Sequence, residues 1–274
     1  MSLQFLRDRS TNVLDRLKVV ELGRVSADLQ SWLETDFGRY LRHQERRLLT
    51  EKYGQLPGYR LMHAGLSPDP QALDCFSHIH RFSFNTVPHA EASAVSHYAQ
   101  LPLPSDTIDV ALLQHAVEFS VSPKAVLAEV SRVVAPGGHL LLCLFNPYGP
   151  LGMIKFPMQL FSTEPQYGFH NLRKGRVIDW LSLLNFQVLE IDYGAYNLPI
   201  NRPQWIEKDS GWERLARRIR FPFGNFYMIH AVKRVARGIS SEPSWRPAAR
   251  GNPILGSKKW LTQIRDNTDK NPHR

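Results

Sequence analysis

The stretch LLQHAVEF (112–119) places an imidazole and a carboxylate three residues apart at the end of a long apolar run. An imidazole with an ordinary pKa of about 6.5 can take a proton from a nucleophile at neutral pH. His115 is therefore a candidate general base, and equally a histidine packed where a helix starts. Glu118 reads as a helix-surface or first-turn acid. A second stretch, YRLMHAGLSPDP (59–70), runs a short strand into a turn with one glycine, Gly65. Glycine at such a turn lets the backbone approach a ligand closely, whereas Ser67 carries a Cβ and Pro68 removes a backbone donor. A third, Asn146-Pro147-Tyr148, reads as a turn that opens a lid, with Tyr148 a candidate for the lining of a substrate pocket. The eleven histidines form no H-x-x-x-H or H-E-x-x-H arrangement, so the sequence gives little support to a metal site. There is no G-x-S-x-G elbow and no Walker loop.

These residues need a scaffold, and the apolar periodicity supplies one. RLMHAG (60–65) and HRFSFN (80–85) read as strands, SAVSHY (93–98) as another, and TIDVALLQHA (107–116) as a strand buried on both faces. PKAVLAEVSRVVAPGG (123–138) has a helical stripe of Val126, Leu127, Val130, Val133 and Val134, ended by Pro-Gly-Gly. HLLLCLFN (139–146) is again a buried strand, RKGRVIDWLSLLNF (173–186) an amphipathic helix, and QVLEIDYG (187–194) and NFYMIHAVKR (225–234) the last strands. Strands alternating with helices predict an α/β fold, a mostly parallel sheet with helices on both faces. Residues 1–50 read as a helical cover, 51–236 as the α/β domain, and 237–274 as a tail. Two stretches, 147–170 and 195–222, interrupt the pattern and read as lid insertions, the first a loop rich in Pro, Gly and aromatics.

The charge is unevenly spread. Of the net +9, the segment from Lys233 onward holds +7, so the body is close to neutral. Such a tail is most simply a solvated extension; it could also recruit RNA with salt-sensitive affinity. Cys75 and Cys143 have no metal-ligand spacing and read as thiols of a reducing compartment. No apolar run approaches the roughly 20 residues that span a bilayer, and the charged first twenty residues lack a secretory pattern. A cytoplasmic protein is expected.

LPLPSDTIDVALLQHAVEF followed by LAEVSRVVAPGGHLLLCLFNP resembles the central segment of class I S-adenosylmethionine-dependent methyltransferases of the type-11 kind. GRYLRHQE (38–45), FNPYGPLG (145–152) and RVIDWLSLLNFQV (176–188) are similar to a small bacterial branch of that family. The resemblance implies a Rossmann-like seven-stranded sheet with S-adenosylmethionine beyond its carboxyl strand ends. The family's first loop, acid-x-Gly-x-Gly-x-Gly, falls here on His63, Gly65, Ser67 and Asp69. The ribose-binding acid falls on Asn85 and the acid after the third strand on His97; Ala99, Gln100 and Gln114 complete the implied cofactor set. Three familiar acids thus read His, Asn and His. The implied function is methyl transfer to a small-molecule acceptor under the lid. Two alternatives stand beside it: a non-catalytic methyltransferase-like binding protein, and an RNA methyltransferase using the basic tail.

Overall fold

The long apolar runs become the centre of one seven-stranded sheet in a computed structural model that describes residues 22–162, 164–200 and 211–234. In chain order the strands are β1 (Arg60–Gly65), β2 (His80–Asn85), β3 (Ala94–Val95), β4 (Ile108–Gln114), β5 (Val134–Phe145), β6 (Phe186–Gly194) and β7 (Phe226–Lys233). Across the sheet the order is β3-β2-β1-β4-β5-β7-β6. The first five strands pair in parallel, and β7 runs antiparallel to both β5 and β6. The chain leaves β1 toward one edge and returns to β4 on its other side. This reversal opens a crevice at the carboxyl ends of β1 and β4, where ligands of open α/β sheets lie.

Val110 to Leu113 and Leu140 to Leu144 are fully buried, as continuous apolar strands between two helical layers must be. Pairing fixes one row with consequences for chemistry: Gly65 lies opposite Gln114, and Gln114 opposite Cys143.

Seven α-helices surround the sheet among the described residues: α1 (Leu22–Leu33), α2 (Asp36–Leu48), α3 (Pro70–Leu73), α4 (Pro123–Val133), α5 (Pro150–Phe161), α6 (Lys174–Leu183) and α7 (Gly211–Arg218). Helix α2 positions much of the site. Thr35 caps it by accepting from the Gly38 amide at 3.2 Å, Asp36 sits in its first turn, and Arg46 and Arg47 sit in its last, all favourable to the helix dipole. Its buried face is Phe37, Tyr40, Leu41, Gln44, Glu45 and Leu48. A Cβ on Gly38 would stand 2.4 Å from the Trp32 carbonyl oxygen, so only glycine lets α1 and α2 fold back this tightly. A π-turn, Leu49–Tyr53, carries α2 toward the sheet.

Several boundaries differ from expectation. The strand expected over 93–98 is paired only at Ala94 and Val95, because the chain then turns and Tyr98 inserts its hydroxyl between the ends of β1 and β2. Helix α4 stops at Val133, before the Pro-Gly-Gly, because Val134 already pairs with Ile108; the register shifts across Pro136-Gly137-Gly138. The segment 147–170, expected as a loop, is largely helix α5. Pro150 occupies the first turn, where a missing amide proton is harmless, and Leu151, Lys155 and Gln159 recur every fourth residue as a buried face. The second insertion does end in a basic helix, α7. The tail 237–274 and Trp205 lie outside the described residues; Trp180 packs at the edge of the core under Lys124.

Candidate functional site

His115 follows directly on β4 with φ of 56°, a left-handed conformation that is uncommon for a residue with a side chain. The kink turns the ring under the strand ends. Its Nδ1 lies 2.8 Å from Glu118 Oε1 and its Nε2 lies 2.7 Å from Glu45 Oε1 on α2. Phe145 stacks on the ring at 3.9 Å, and Cys143 Sγ stands 3.7 Å from Nε2. All of these side chains are buried. Burial alone would lower the imidazole pKa, but the Glu45 carboxylate, and Glu118 with it, outweigh burial and hold the ring well above its ordinary value. His115 is thus an imidazolium clasped by two carboxylates, which differs from the proton acceptor expected of it. Burial, reinforced by Glu45, pushes the Cys143 thiol up to about 12, so it stays protonated.

Glu118 is not the exposed acid expected from its place. It is 1% exposed and accepts both the His115 ring and the Phe145 amide, the latter at 2.9 Å. The reason is the kink at His115, after which residues 116–119 form a turn rather than a helix and fold the carboxylate inward.

The altered loop after β1 is held by α2. Asp69, at the family's third glycine position, caps α3 by accepting from the Ala72 amide at 3.1 Å and receives Arg46 Nε at 3.0 Å. Ser67 is half-buried, its hydroxyl turned onto the Pro68 carbonyl at 3.3 Å. Gly65 matters for space: a Cβ there would stand 3.0 Å from the His63 ring. That ring is wholly buried, its pKa lowered by burial against the opposing pull of Asp69, Gln114 and Glu45, so it is neutral. Neither of its nitrogens has a hydrogen-bond partner among the described residues.

His63 is one of a set. Asn85 Nδ2, Thr86 Oγ1, Gln114 Oε1 and Glu118 Oε2 are likewise buried without partners among the described residues. These atoms lie at the carboxyl ends of β1, β2 and β4. A buried polar atom left unpaired costs about 1–3 kcal/mol, so a row of them marks a place where a ligand's own polar groups would complete the bonding.

Two cavities flank this row. One, of about 280 Å³, is lined by Thr86, Val95, Ser96, His97, Tyr98 and Ala116 among others. The other, beside Leu66, Ser67, Glu45, Gln114 and His115, holds only about 20 Å³. The structure brings His63, Gly65, Gln114 and His115 together and places Asn85 beside them on β2. His97, Ala99 and Gln100 lie past β3, closed into a turn by the Gln100 amide on the His97 carbonyl at 2.9 Å. Tyr148 is elsewhere, in a cavity of about 250 Å³ with Asn146, Lys174, Tyr193, Phe223 and Tyr227. The turn at Asn146 is tied down: its side-chain amide donates to the Pro222 and Gly224 carbonyls, each at 2.9 Å.

Sequence reasoning missed three residues. Glu45 falls on the α2 stripe Phe37, Leu41, Leu48, and an acid on an apolar stripe was the available signal. Tyr98 donates to the Gly65 carbonyl at 2.7 Å, which no spacing announces. Lys155, in the lid helix, is buried against the Phe169 carbonyl and ring and bonds Asn171 Oδ1 at 3.0 Å; burial pushes its amine down to about 8.

The strand order and the crevice define a class I methyltransferase-like fold, and comparison with known proteins agrees. Residues 61–142 match the methyltransferase domain model of the type-11 family, so this central part of the chain is similar to class I S-adenosylmethionine-dependent methyltransferase domains. An uncharacterised Escherichia coli protein, YafS, is 31% identical over 160 residues, which are 58% of this chain. The chain spans 65% of the length of that curated relative. Among solved structures, a Thermotoga maritima S-adenosylmethionine-dependent methyltransferase, a possible histamine N-methyltransferase, superposes with a TM-score of 0.58 at 16% identity, over 77% of this chain and 98% of that one. A Haloferax volcanii chain solved with the methyltransferase activator Trm112 gives 0.54 at 16% identity, over 78% and 98%. At such identity the structural likeness speaks for the fold. No helix among the described residues is long and apolar enough to cross a membrane.

Proposed function

We propose that the chain is an S-adenosylmethionine-dependent methyltransferase acting on a small, partly apolar acceptor. The observation that carries this reading is the set of unpartnered buried polar atoms on His63, Asn85, Thr86 and Gln114 at the carboxyl strand ends, of which Thr86 lines the 280 Å³ cavity and Gln114 the 20 Å³ one. The residues fit the adenosine end of the cofactor: Asn85 Nδ2 and Thr86 Oγ1 would hold the ribose hydroxyls, and Val95, His97, Ala99 and Gln100 would border the base. His63 and Gln114 would meet the amino-acid end, where the 20 Å³ space is too small unless Glu45 and α2 draw back. When bound, the cofactor supplies an electrophilic methyl group.

The chain's own residues would then position the acceptor and keep water out, which suffices for a good nucleophile held in line. The His115 clasp, with two carboxylates to one imidazolium, would carry a net negative charge that suits the cofactor's cationic sulfonium. The cavity around Tyr148, Tyr193, Phe223 and Tyr227 lies between the two insertions and would take an acceptor with an aromatic or apolar body. Lys174 Nζ, 3.1 Å from the Tyr193 hydroxyl, offers it one positive charge.

The closed amino-acid end supports a second reading, a methyltransferase-like fold that binds a partner without catalysis. Calorimetric titration separates the two. Binding of S-adenosylmethionine and S-adenosylhomocysteine with a Kd on the order of micromolar, lost in Val95→Trp, supports the enzyme. Val95 is more than half exposed, so the bulky ring fills the cavity without disturbing the core. No heat from either ligand at millimolar concentration, in a folded sample, rejects the enzyme and leaves the binding protein.

A further inference from the structure

The clasp around His115 also has the donor set and arrangement of a metal centre. Glu45, His115 and Cys143 each bring one ligand atom to a common point, all within 4.8 Å of one another and all buried. We propose that these three residues form a zinc site with one open position. The proposal goes beyond the methyl-transfer reading and is tested without the cofactor; its open position is the same small space that the cofactor's amino-acid end would enter, so zinc and the cofactor would meet or compete there.

Three features of the geometry carry it. The first is the spacing. Zinc bound to nitrogen and oxygen at about 2.0–2.2 Å and to sulfur at about 2.3 Å in a tetrahedron sets its donors roughly 3.4–3.6 Å apart. His115 Nε2 and Cys143 Sγ, at 3.7 Å, already stand so. The Glu45 carboxylate, at 2.7 Å from Nε2, needs to retreat by under about 1 Å.

The second feature is the outer shell. Metal-bound histidines hold their other nitrogen on a carboxylate or carbonyl, and metal-bound carboxylates are themselves hydrogen-bonded. Here Glu118 holds Nδ1 at 2.8 Å, leaving Nε2 to face the centre. The Gln114 side-chain amide donates to Glu45 Oε2 at 3.0 Å, leaving Oε1 to face the centre. Both supports come from residues next to the ligands in space, and Glu118 is itself fixed by the Phe145 amide. The kink at His115 is what aims the ring.

The third is room. The cavity of about 20 Å³ touches Glu45 and His115 and is enough for about one water molecule. That water, or an anionic donor of a substrate, would be the fourth ligand of an open, catalytic-type site. Thiolate, imidazole and carboxylate together suit zinc better than magnesium or calcium.

The charge balances. Without metal the cluster holds two carboxylates, one imidazolium and a neutral thiol. Binding forms bonds from Glu45, Nε2 and Sγ to zinc and releases two protons, one from the ring and one from the thiol. The net charge of the buried cluster is −1 in both states, so the ion adds no uncompensated charge to the interior.

The test uses the full chain, untagged and stripped with a chelator, titrated with cobalt(II) and then zinc(II). The proposal expects one cobalt per chain, intense tetrahedral visible bands, a sulfur-to-cobalt charge-transfer band in the near ultraviolet, and loss of all of them on adding zinc. Cys143→Ser should abolish the charge-transfer band and Cys75→Ser should keep it. A folded protein that takes up no cobalt overturns the proposal, as does a charge-transfer band that survives Cys143→Ser. Should that variant fail to fold, X-ray absorption of the zinc-loaded wild type decides: one sulfur among nitrogen and oxygen neighbours supports the site, and a shell without sulfur overturns it. S-adenosylhomocysteine titration of the stripped protein is read separately, so loss of one conclusion leaves the other standing.

Discussion

At the carboxyl end of β4, His115 lies between Glu45 and Glu118; on β7, His230 faces another imidazole, with His139 Nδ1 at 3.0 Å from its Nε2. Both rings are buried, and both stack or edge against an aromatic: Phe145 at 3.9 Å for the first, Tyr53 at 5.2 Å for the second. Burial pushes each toward the neutral form. What differs is the neighbour. Carboxylates bonded directly to the ring reverse the push at His115, whereas at His230 burial and the facing His139 outweigh the opposing pull of Glu190 and Asp192 and take the pKa down to about 4. One fold thus keeps a buried charge where the crevice is and a neutral pair away from it. The contrast shows that burial of a histidine says little about its charge until the facing residues are known.

The largest break in this contrast is Glu118→Ala. It strips the carboxylate from His115 and leaves the Phe145 amide without its partner. Removing one member of a buried ion pair costs about 3–5 kcal/mol, so the urea midpoint should fall steeply. Glu118→Gln keeps an acceptor oxygen and should cost less than half as much. Equal losses in the two variants would mean that the charge, which glutamine lacks, rather than hydrogen bonding holds the clasp.

The second break is His230→Phe. The folded pKa of His230 lies near 4, below its ordinary 6.5. Below pH 6.5 the unfolded chain binds the proton first, so stability falls as pH drops from 6.5 through 4. The variant should lack that contribution, about 1–2 kcal/mol after allowance for partial exposure. Thermal melts of both proteins at pH 7 and pH 4.5 read the difference directly. A wild type no more acid-sensitive than the variant would place His230 outside the acid response.

Much of the fold was legible because periodicity is a local signal. The runs at 108–114 and 139–145 are apolar at every position but a few, and only a strand covered on both faces uses such a run. The lid was not legible: LGMIKFPMQLF has helical spacing, yet Pro150 and Pro157 within a Pro- and Gly-rich stretch masked it. The site was legible only in part. Gly65, Asn85 and Gln114 could be set at the carboxyl edge of the sheet because each ends a recognisable strand, with His63 two residues before the end of the first. Glu45 could not, since 70 residues separate it from the His115 ring that it touches. Cys143 looked like core for the same reason: its spacing to His115 becomes meaningful only when β4 and β5 pair. Glu118 was misjudged because a positive φ at its neighbour cannot be read from residue type.

The remaining predictions sharpen the contrast between polar groups that hold the fold and polar groups that wait at the crevice. Tyr98→Phe removes the hydroxyl donated to the Gly65 carbonyl. A single neutral hydrogen bond is worth about 1 kcal/mol, so the loss should be near that and well below that of Glu118→Ala. A much larger loss would make Tyr98 the main tie between the first loop and β2.

His63→Leu should go the other way. The native ring is wholly buried and neutral, and both of its nitrogens lack partners among the described residues. Replacing an unsatisfied polar group by an apolar one of similar size removes a desolvation cost without losing a bond. The melting temperature should therefore rise slightly, by the equivalent of about 1 kcal/mol or less. At the same time the variant should bind S-adenosylhomocysteine more weakly, because the atoms it removes are those left free to meet a ligand. A residue kept against the stability of the fold is kept for something else. If His63→Leu were instead clearly less stable and bound the ligand as well as wild type, His63 would be a packing residue, and the carboxyl ends of β1 and β4 would bury polar groups for structure alone.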